Sequence, residues 1–521
     1  MTSLRSTLLR QLRQATAAVR SERPSIAVPS GTSPSASRRR LLQASASAAV
    51  APVSSVLAAT GAREAAPVAI IGGGLAGLSA AHALARAGIH ADVFEAGGRL
   101  GGRCWSDRDT FDQGQVVERG GELLDTSHVH LLGLARGFGL AIDNVLEAEA
   151  PGTANLITFD GRPYTLEQAA RDFAPVLPVL NRQLKAVGTP GYRRPSPMAR
   201  QIDALSAAEW INRHIPGGLT APLGRFVRCA LEENFAVEAD ALSALVALGA
   251  LSDSTADELD AYGGSDQRFH IRGGNDAVVS ALAKALPRRP QLDSPLLALE
   301  LRKDGRCDVT IGQGSGSVTR RYHHVVLALP FANLRDVDLA RAGFRALKMR
   351  AIRELPMAAA TKLQLQFTRR LWRDQGNTGY VMLDGHFLST WEVTRAQDGT
   401  GGILNFWSSG QRAGTFGAGS DADQAREALA ALEGLMPGIS DAWNGRVSRT
   451  VWDTNAPPRG CYAYYPPGYI TSLLGVEAEP EGPVHVAGEH TSRRWQGFLS
   501  GAVETGQRAA REIRGRTSKG R

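Results

Sequence analysis

The chain has 521 residues, 43% of them hydrophobic and 21% charged, a composition that supports a sizeable globular core and is too long for one ordinary domain. Its four cysteines, Cys104, Cys229, Cys307 and Cys461, have no paired spacing, which argues against a disulfide scaffold or a metal knot. The net charge of +8 does not mark a nucleic-acid binder: residues 1–62 hold eight arginines and one glutamate, a net of +7, and the remainder is close to neutral.

That basic leader is the first element in chain order. Residues 37–62, SRRRLLQASASAAVAPVSSVLAATGA, set Arg38 and Arg39 directly before a weakly apolar, Ala/Ser-rich run that ends in small residues. The pattern is that of a twin-arginine export signal and predicts a periplasmic or secreted protein. The run is too short and too polar for an integral membrane span. Residues 1–20 are arginine-rich and free of acids, which also suits a mitochondrial presequence.

Residues 66–103, APVAIIGGGLAGLSAAHALARAGIHADVFEAGGRLGGR, read as a strand, a helix closed at Gly88 and a second strand. The turn between the first strand and the helix carries Gly72, Gly74 and Gly77 in G-x-G-x-x-G spacing. Gly72 permits the tight turn, Gly74 admits a pyrophosphate to the backbone, and Gly77 lets helix and strand pack closely. The helix start offers N–H groups to the phosphates, and Glu95, at the end of the second strand, is placed to bind a ribose hydroxyl pair. A second glycine turn with Arg103 follows, as in FAD-binding oxidoreductases, and then a turn at Gly120-Gly121.

Residues 63–150 are therefore the first part of a Rossmann-like FAD-binding domain. Residues 151–265 read as a mostly helical substrate-domain insert, residues 266–330 return to the FAD-binding domain through a Gly273-Gly274 turn, and residues 331–455 supply a substrate-domain sheet. Residues 456–515 complete the FAD-binding part. The fold class is α/β, with a discontinuous substrate domain of mixed sheet and helices. Residues 414–423, GTFGAGSDAD, read as a surface loop.

The last hundred residues carry the most specific signal. RGCYAYYPPGYITSLLG (459–475) and VHVAGEHTSRRWQGFLSGAVETGQRAAREI (484–513), with the N-terminal fingerprint, resemble the flavin-dependent monoamine oxidases over about residues 66–514. The resemblance implies the amine oxidase fold, bound FAD, a small-molecule amine and O2 as reactants, and a possible homodimer. It also implies that Cys461 forms a thioether to the flavin, although many relatives in the wider family bind FAD without that bond. Gly72, Gly74, Ala76, Gly77, Glu95, Ala96 and Arg103 match ADP-binding positions, and Leu296 an adenine contact. Gly120, Gly121 and Glu122 match the turn near the flavin ring, Trp452 a tryptophan beside it, and Gly488, Glu489 and Leu499 the segment facing the ribityl chain and pyrimidine end. Tyr462 and Phe498 match the two aromatic walls of the amine cage, and Lys362, in ATKLQLQF, the lysine that reaches flavin N5 through a water.

Two positions depart from the family pattern. Gly97 stands where many members have an arginine, and Phe498 where the second cage residue is usually tyrosine. The rival activity on this fold is an L-amino-acid oxidase; relatives that take amino acids often carry Met-Arg after the glycine turn, where this chain has Glu122-Leu123. A non-catalytic flavin binder is the third reading, and it needs neither Lys362 nor Tyr462.

Overall fold

The computed structural model describes residues 67–453 and 458–517; the twin-arginine stretch lies outside them. Short apolar runs, VAII, ADVF, HVVL and VHV, form the strands Val68–Ile71, Ala91–Phe94, His324–Leu327 and Val484–Val486. They pair in parallel, with Val68–Ile71 between Ala91–Phe94 and His324–Leu327, and Val484–Val486 beyond the latter. Runs this apolar suit a sheet covered on both faces. The helix Leu75–Ala85 follows the first strand, and the C-terminal helix Leu499–Thr517 packs beside it.

The turn into the helix Leu75–Ala85 has room for backbone only. Gly72 has φ +107°, and a Cβ there would stand 2.5 Å from the Ala328 carbonyl oxygen; a Cβ on Gly77 would stand 1.9 Å from that of Gly72. These two glycines are the reason strand and helix can close on one another.

A seven-stranded mixed sheet faces this domain. Its spatial order is Trp443–Trp452, Ala360–Phe367, Gly402–Ser409, Ser389–Glu392, Asn377–Leu383, Ala154–Phe159 and Arg162–Pro163. Ala360–Phe367 alternates polar and apolar, yet every residue in it is buried. Leu363, Leu365 and Phe367 pack into a core with Phe406, Phe416 and Leu429. The opposite face carries Lys362, Gln364 and Gln366, whose side chains donate to acceptors among residues 112–122 of the first domain. The alternation thus distinguishes two buried faces, one apolar and one polar.

The structure adds to one sequence expectation and corrects another. The stretch 151–265 opens with the hairpin strands Ala154–Phe159 and Arg162–Pro163, which extend the large sheet by pairing with Asn377–Leu383; helices follow from Leu166 to Leu251. Residues 414–423 are mostly helical: Gln411–Gly417 and Asp421–Glu433 are helices, with Ser420 capping the second. The glycines signalled a loop, but Phe416 is fully buried and packs against Phe387 and His386, so tertiary burial overrides weak helix propensity. No described helix is long and apolar enough to cross a membrane.

Candidate active site

A cavity of about 910 Å³ runs from the glycine turn of the parallel sheet to the face of the large sheet. Gly72, Gly74 and Ala76 line its first end, with Glu95, Ala96, Arg103 and Leu296; Gly77 lies behind that wall as a packing residue. No side chain caps the helix Leu75–Ala85 at Gly74, so its first turn is left to a ligand. Glu95 is held in place by its neighbours: Oε2 accepts from the Gly73 N–H at 2.7 Å and Oε1 from that of Gly97 at 2.9 Å. Each oxygen keeps a lone pair for a hydroxyl. The position of the missing arginine, Gly97, thus contributes a backbone donor to this acid.

The middle of the cavity is a crossing of the three segments. Arg103 Nη1 donates to the Cys461 carbonyl at 2.8 Å and to Glu489 Oε1 at 2.9 Å. Glu489 also accepts from the N–H groups of Ala463 and Gly497. Burial would raise its pKa, but the charge of Arg103 and these donors hold it below the usual carboxylate range. Cys461 lines the cavity, and its Sγ lies 3.2 Å from the Ala358 carbonyl oxygen. Burial pushes that thiol up to about 12, so the thiol and not the thiolate is its resting form. Cys104 also lines the wall but is 1% exposed against 9% for Cys461, while Cys229 and Cys307 lie elsewhere in the core.

Lys362 reaches this region from the large sheet. Its Nζ donates to Glu122 Oε2 at 2.7 Å, to the Gly120 carbonyl at 3.0 Å and to the Glu118 carbonyl at 3.1 Å. An ammonium has three donors, and all three are engaged. The other oxygen of Glu122 accepts from Trp391 Nε1 at 2.8 Å. Gly121 and Leu499 also line this stretch, as do Gly488, Tyr462, Phe498 and Trp452. The Tyr462 hydroxyl donates to the Asn234 carbonyl, Trp452 Nε1 to that of Arg119, and the Phe498 ring meets His128 edge-on at 4.7 Å.

The far end is a chamber walled by Phe226, Ile157, Tyr380, Trp391 and Trp407. Glu233 lines the same part of the cavity. Its Oε2 is 2.7 Å from the Tyr262 hydroxyl and 3.0 Å from that of Tyr380, and the two hydroxyls are 2.8 Å apart. Ser389 donates to Oε1 at 2.9 Å. Both tyrosine hydroxyls are placed to donate to Oε2, and either can be the donor in the contact between them. Burial raises the pKa of Glu233, which favours the neutral acid.

Residues 75–514 match the family model of flavin containing amine oxidoreductases. The chain belongs to this family. The oxidase is 25% identical over 465 residues to the flavin-containing amine oxidase of Oncorhynchus mykiss, covering 86% of this chain and 85% of that protein. It is 24% identical over 468 residues to flavin-containing amine oxidase B of Sus scrofa, with the same coverage. Among solved structures, cyclohexylamine oxidase from Brevibacterium oxydans superposes with a TM-score of 0.75 at 22% identity, covering 87% of this chain and all of that one. A putrescine oxidase double mutant superposes at 0.73 and 21% identity, covering 86% and 99%; at these identities the two likenesses concern the fold.

The oxidase is an FAD-containing enzyme that acts on amines, and its cavity fits that cofactor. An uncapped helix start for phosphates, an acid with free lone pairs at the end of the second strand, and a long slot from there to Lys362 are the donor set a flavin dinucleotide asks for. Sequence reasoning missed Glu233, Tyr262, Tyr380, Ser389, Trp391 and Trp407. One signal was available for the first: Glu232 and Glu233 sit in the last turn of the helix Pro222–Phe235, where the dipole disfavours acids unless something else holds them. Arg412 holds Glu232 at 2.8 Å, and the hydroxyls hold Glu233.

Proposed function

We propose that the oxidase removes a hydride equivalent from the carbon bearing a primary or secondary amine. The imine hydrolyses to an aldehyde or ketone, and O2 is reduced to hydrogen peroxide. The observation that carries this reading is the continuity of one cavity from the dinucleotide cradle to an aromatic-walled chamber. Bound FAD supplies the two-electron chemistry.

The chain's own residues orient and desolvate. Tyr462, fixed through its hydroxyl to Asn234, and Phe498, set against His128, wall the approach of the amine. An amine between them is stripped of water, which favours its neutral, reactive form because an unpaired buried ammonium is costly. Lys362 keeps a positive charge at the ring end, held by Glu122, and that charge favours negative charge developing on oxygen during reoxidation.

Amines are favoured over amino acids. Among the described residues that line the cavity, Arg395 is paired with Glu149, Lys362 with Glu122 and Arg103 with Glu489, while Arg99 lies at the glycine turn of the dinucleotide end and donates to the Leu100 and Gly102 carbonyls, so a carboxylate at the amine end meets no unpaired cation. A panel of amines and a panel of amino acids, read by peroxide formation, tests the assignment: peroxide with amines alone is expected, and faster turnover of amino acids overturns it.

Cys461 is the residue that would carry a thioether to the flavin. The bond forms with loss of two protons and two electrons, from the thiol S–H and a methyl C–H, which O2 takes up as hydrogen peroxide. Acid-precipitated protein should stay yellow, and colour released wholly to the supernatant refutes the bond. On the sequence evidence of Arg38 and Arg39, the oxidase is exported; replacing both with lysine should retain activity in the cytoplasm.

A further inference from the structure

Among the described acids that line the cavity beyond the dinucleotide end, Glu233 is left without a cation, whereas Glu392 is held by Arg370 and Arg373 and Asp266 by Arg268. Glu122 is matched by Lys362 and Glu149 by Arg395. Glu233 contacts only hydroxyl donors, those of Tyr262, Tyr380 and Ser389. It is only partly buried because it faces the cavity, which it lines together with Tyr380, Trp391 and Trp407. A carboxyl group in an aromatic chamber, supplied with hydroxyls and without a cation, is a site for a positive charge brought in from outside.

The sheet gives the spacing between that site and the reacting end. Lys362 is directly opposite Trp407, and Trp407 is directly opposite Ser389, on three adjacent strands. Directly paired residues point to the same face. Ser389, which holds Glu233, therefore lies in one row with Lys362, two strand spacings away, or about 10 Å. Trp407 stands between them, and Trp391 lies next to it with ring centroids 6.1 Å apart. The path from the ring end to Glu233 is thus apolar in the middle and ends in an acid.

We propose that Glu233 binds the second, distal amino group of a linear diamine, with the methylene spacer lying along Trp391 and Trp407 while the first amino group is oxidised. This rests on the amine oxidase reading and names the substrate class for it. The Glu233 proton passes to the distal nitrogen. The product is an ammonium ion against a carboxylate that Tyr262, Tyr380 and Ser389 still hydrogen-bond, so the proton and the charge both balance. Burial without a cation favours the neutral acid until the distal amine arrives, so an unpaired anion is not stranded there.

The test compares cadaverine with pentylamine, and hexamethylenediamine with hexylamine, by steady-state kcat and KM on the FAD-loaded enzyme. In the natural sequence the diamine of each pair should have the higher kcat/KM, chiefly through a lower KM. Glu233→Gln keeps the size and a hydrogen-bonding amide but cannot ionise. It should lower the ratio of diamine to monoamine kcat/KM by about thirtyfold or more, the loss expected when one partner of a buried charge pair is removed. A natural enzyme that prefers the monoamines, or a ratio unchanged by Glu233→Gln in protein that melts normally and retains FAD, overturns the proposal. If the natural enzyme oxidises none of these amines while carrying FAD, the amine oxidase reading itself fails, and this proposal falls with it.

Discussion

The two ends of the cavity are built from different materials. At the dinucleotide end the chemistry is done by backbone: glycines where a Cβ has no room, an uncapped helix start, and an acid locked by two N–H groups. At the amine end it is done by side chains gathered from distant strands and a helix, with Glu233 on the helix Pro222–Phe235, Tyr380 and Ser389 on two strands, and Tyr262 on a loop. A backbone site tolerates almost no substitution and serves one ligand. A side-chain site can be altered one residue at a time, and selectivity is free to change there without loss of the cofactor.

The largest effect should come from breaking the backbone end. Gly77→Val places a side chain against the Gly72 carbonyl, and the variant should purify without FAD, read as absent flavin absorbance. Next, the amine end should separate tyramine from tyrosine by more than about a hundredfold in kcat/KM, since a buried carboxylate with no free cation costs several kcal/mol. Oxygen consumption measures the ratio, and faster tyrosine turnover would reveal a cation not accounted for. Third, Lys362→Met should slow reoxidation by O2 about tenfold while changing reduction by amine less, because the lost charge acts on oxygen. Stopped-flow measurement of both half-reactions checks this, and equal slowing would make Lys362 structural.

The smallest effect concerns acid. His324, on a strand of the parallel sheet, has its pKa pushed down to about 4 by burial first and by the charge of His485 second. Between its ordinary 6.5 and that value, the unfolded chain binds a proton that the folded chain refuses. Stability from this group is fully present above the ordinary value and is lost as the pH falls through the window. Glu233, whose pKa is raised, contributes in the opposite sense: its stabilisation is present at low pH and weakens as the pH rises. Replacing His324 with Asn should flatten the fall of Tm between neutral pH and pH 5 by a few degrees.

The same contrast explains what could be read from the sequence. The strand, turn and helix around Gly72 are contiguous, so local spacing reveals them along with Glu95. Lys362, Tyr462 and Phe498 were found through family resemblance, and each lies on the cavity wall. The chamber was not legible, because Glu233 and Ser389 are 156 positions apart and meet only after the large sheet has paired. Lys362 was expected to reach flavin N5 through a water; its ion pair with Glu122 was not legible, because it depends on the first domain packing on the polar face of Ala360–Phe367. Phe416 teaches the same lesson, since its burial makes a helix of a stretch that its glycines mark as a loop.

The parallel sheet has a consequence for how the oxidase is made. Its flanking strand, Val484–Val486, and the helix beside the glycine turn, Leu499–Thr517, lie at the end of the chain. While the ribosome is still adding them, the first strand and helix have emerged, but the sheet is missing an edge and the neighbouring helix. The cofactor cradle closes only after these segments have emerged, so flavin is enclosed after them and not before. From the first strand until Val484–Val486 is made, a nascent chain therefore holds an unfinished apolar sheet edge, an interval in which a chaperone has something to bind.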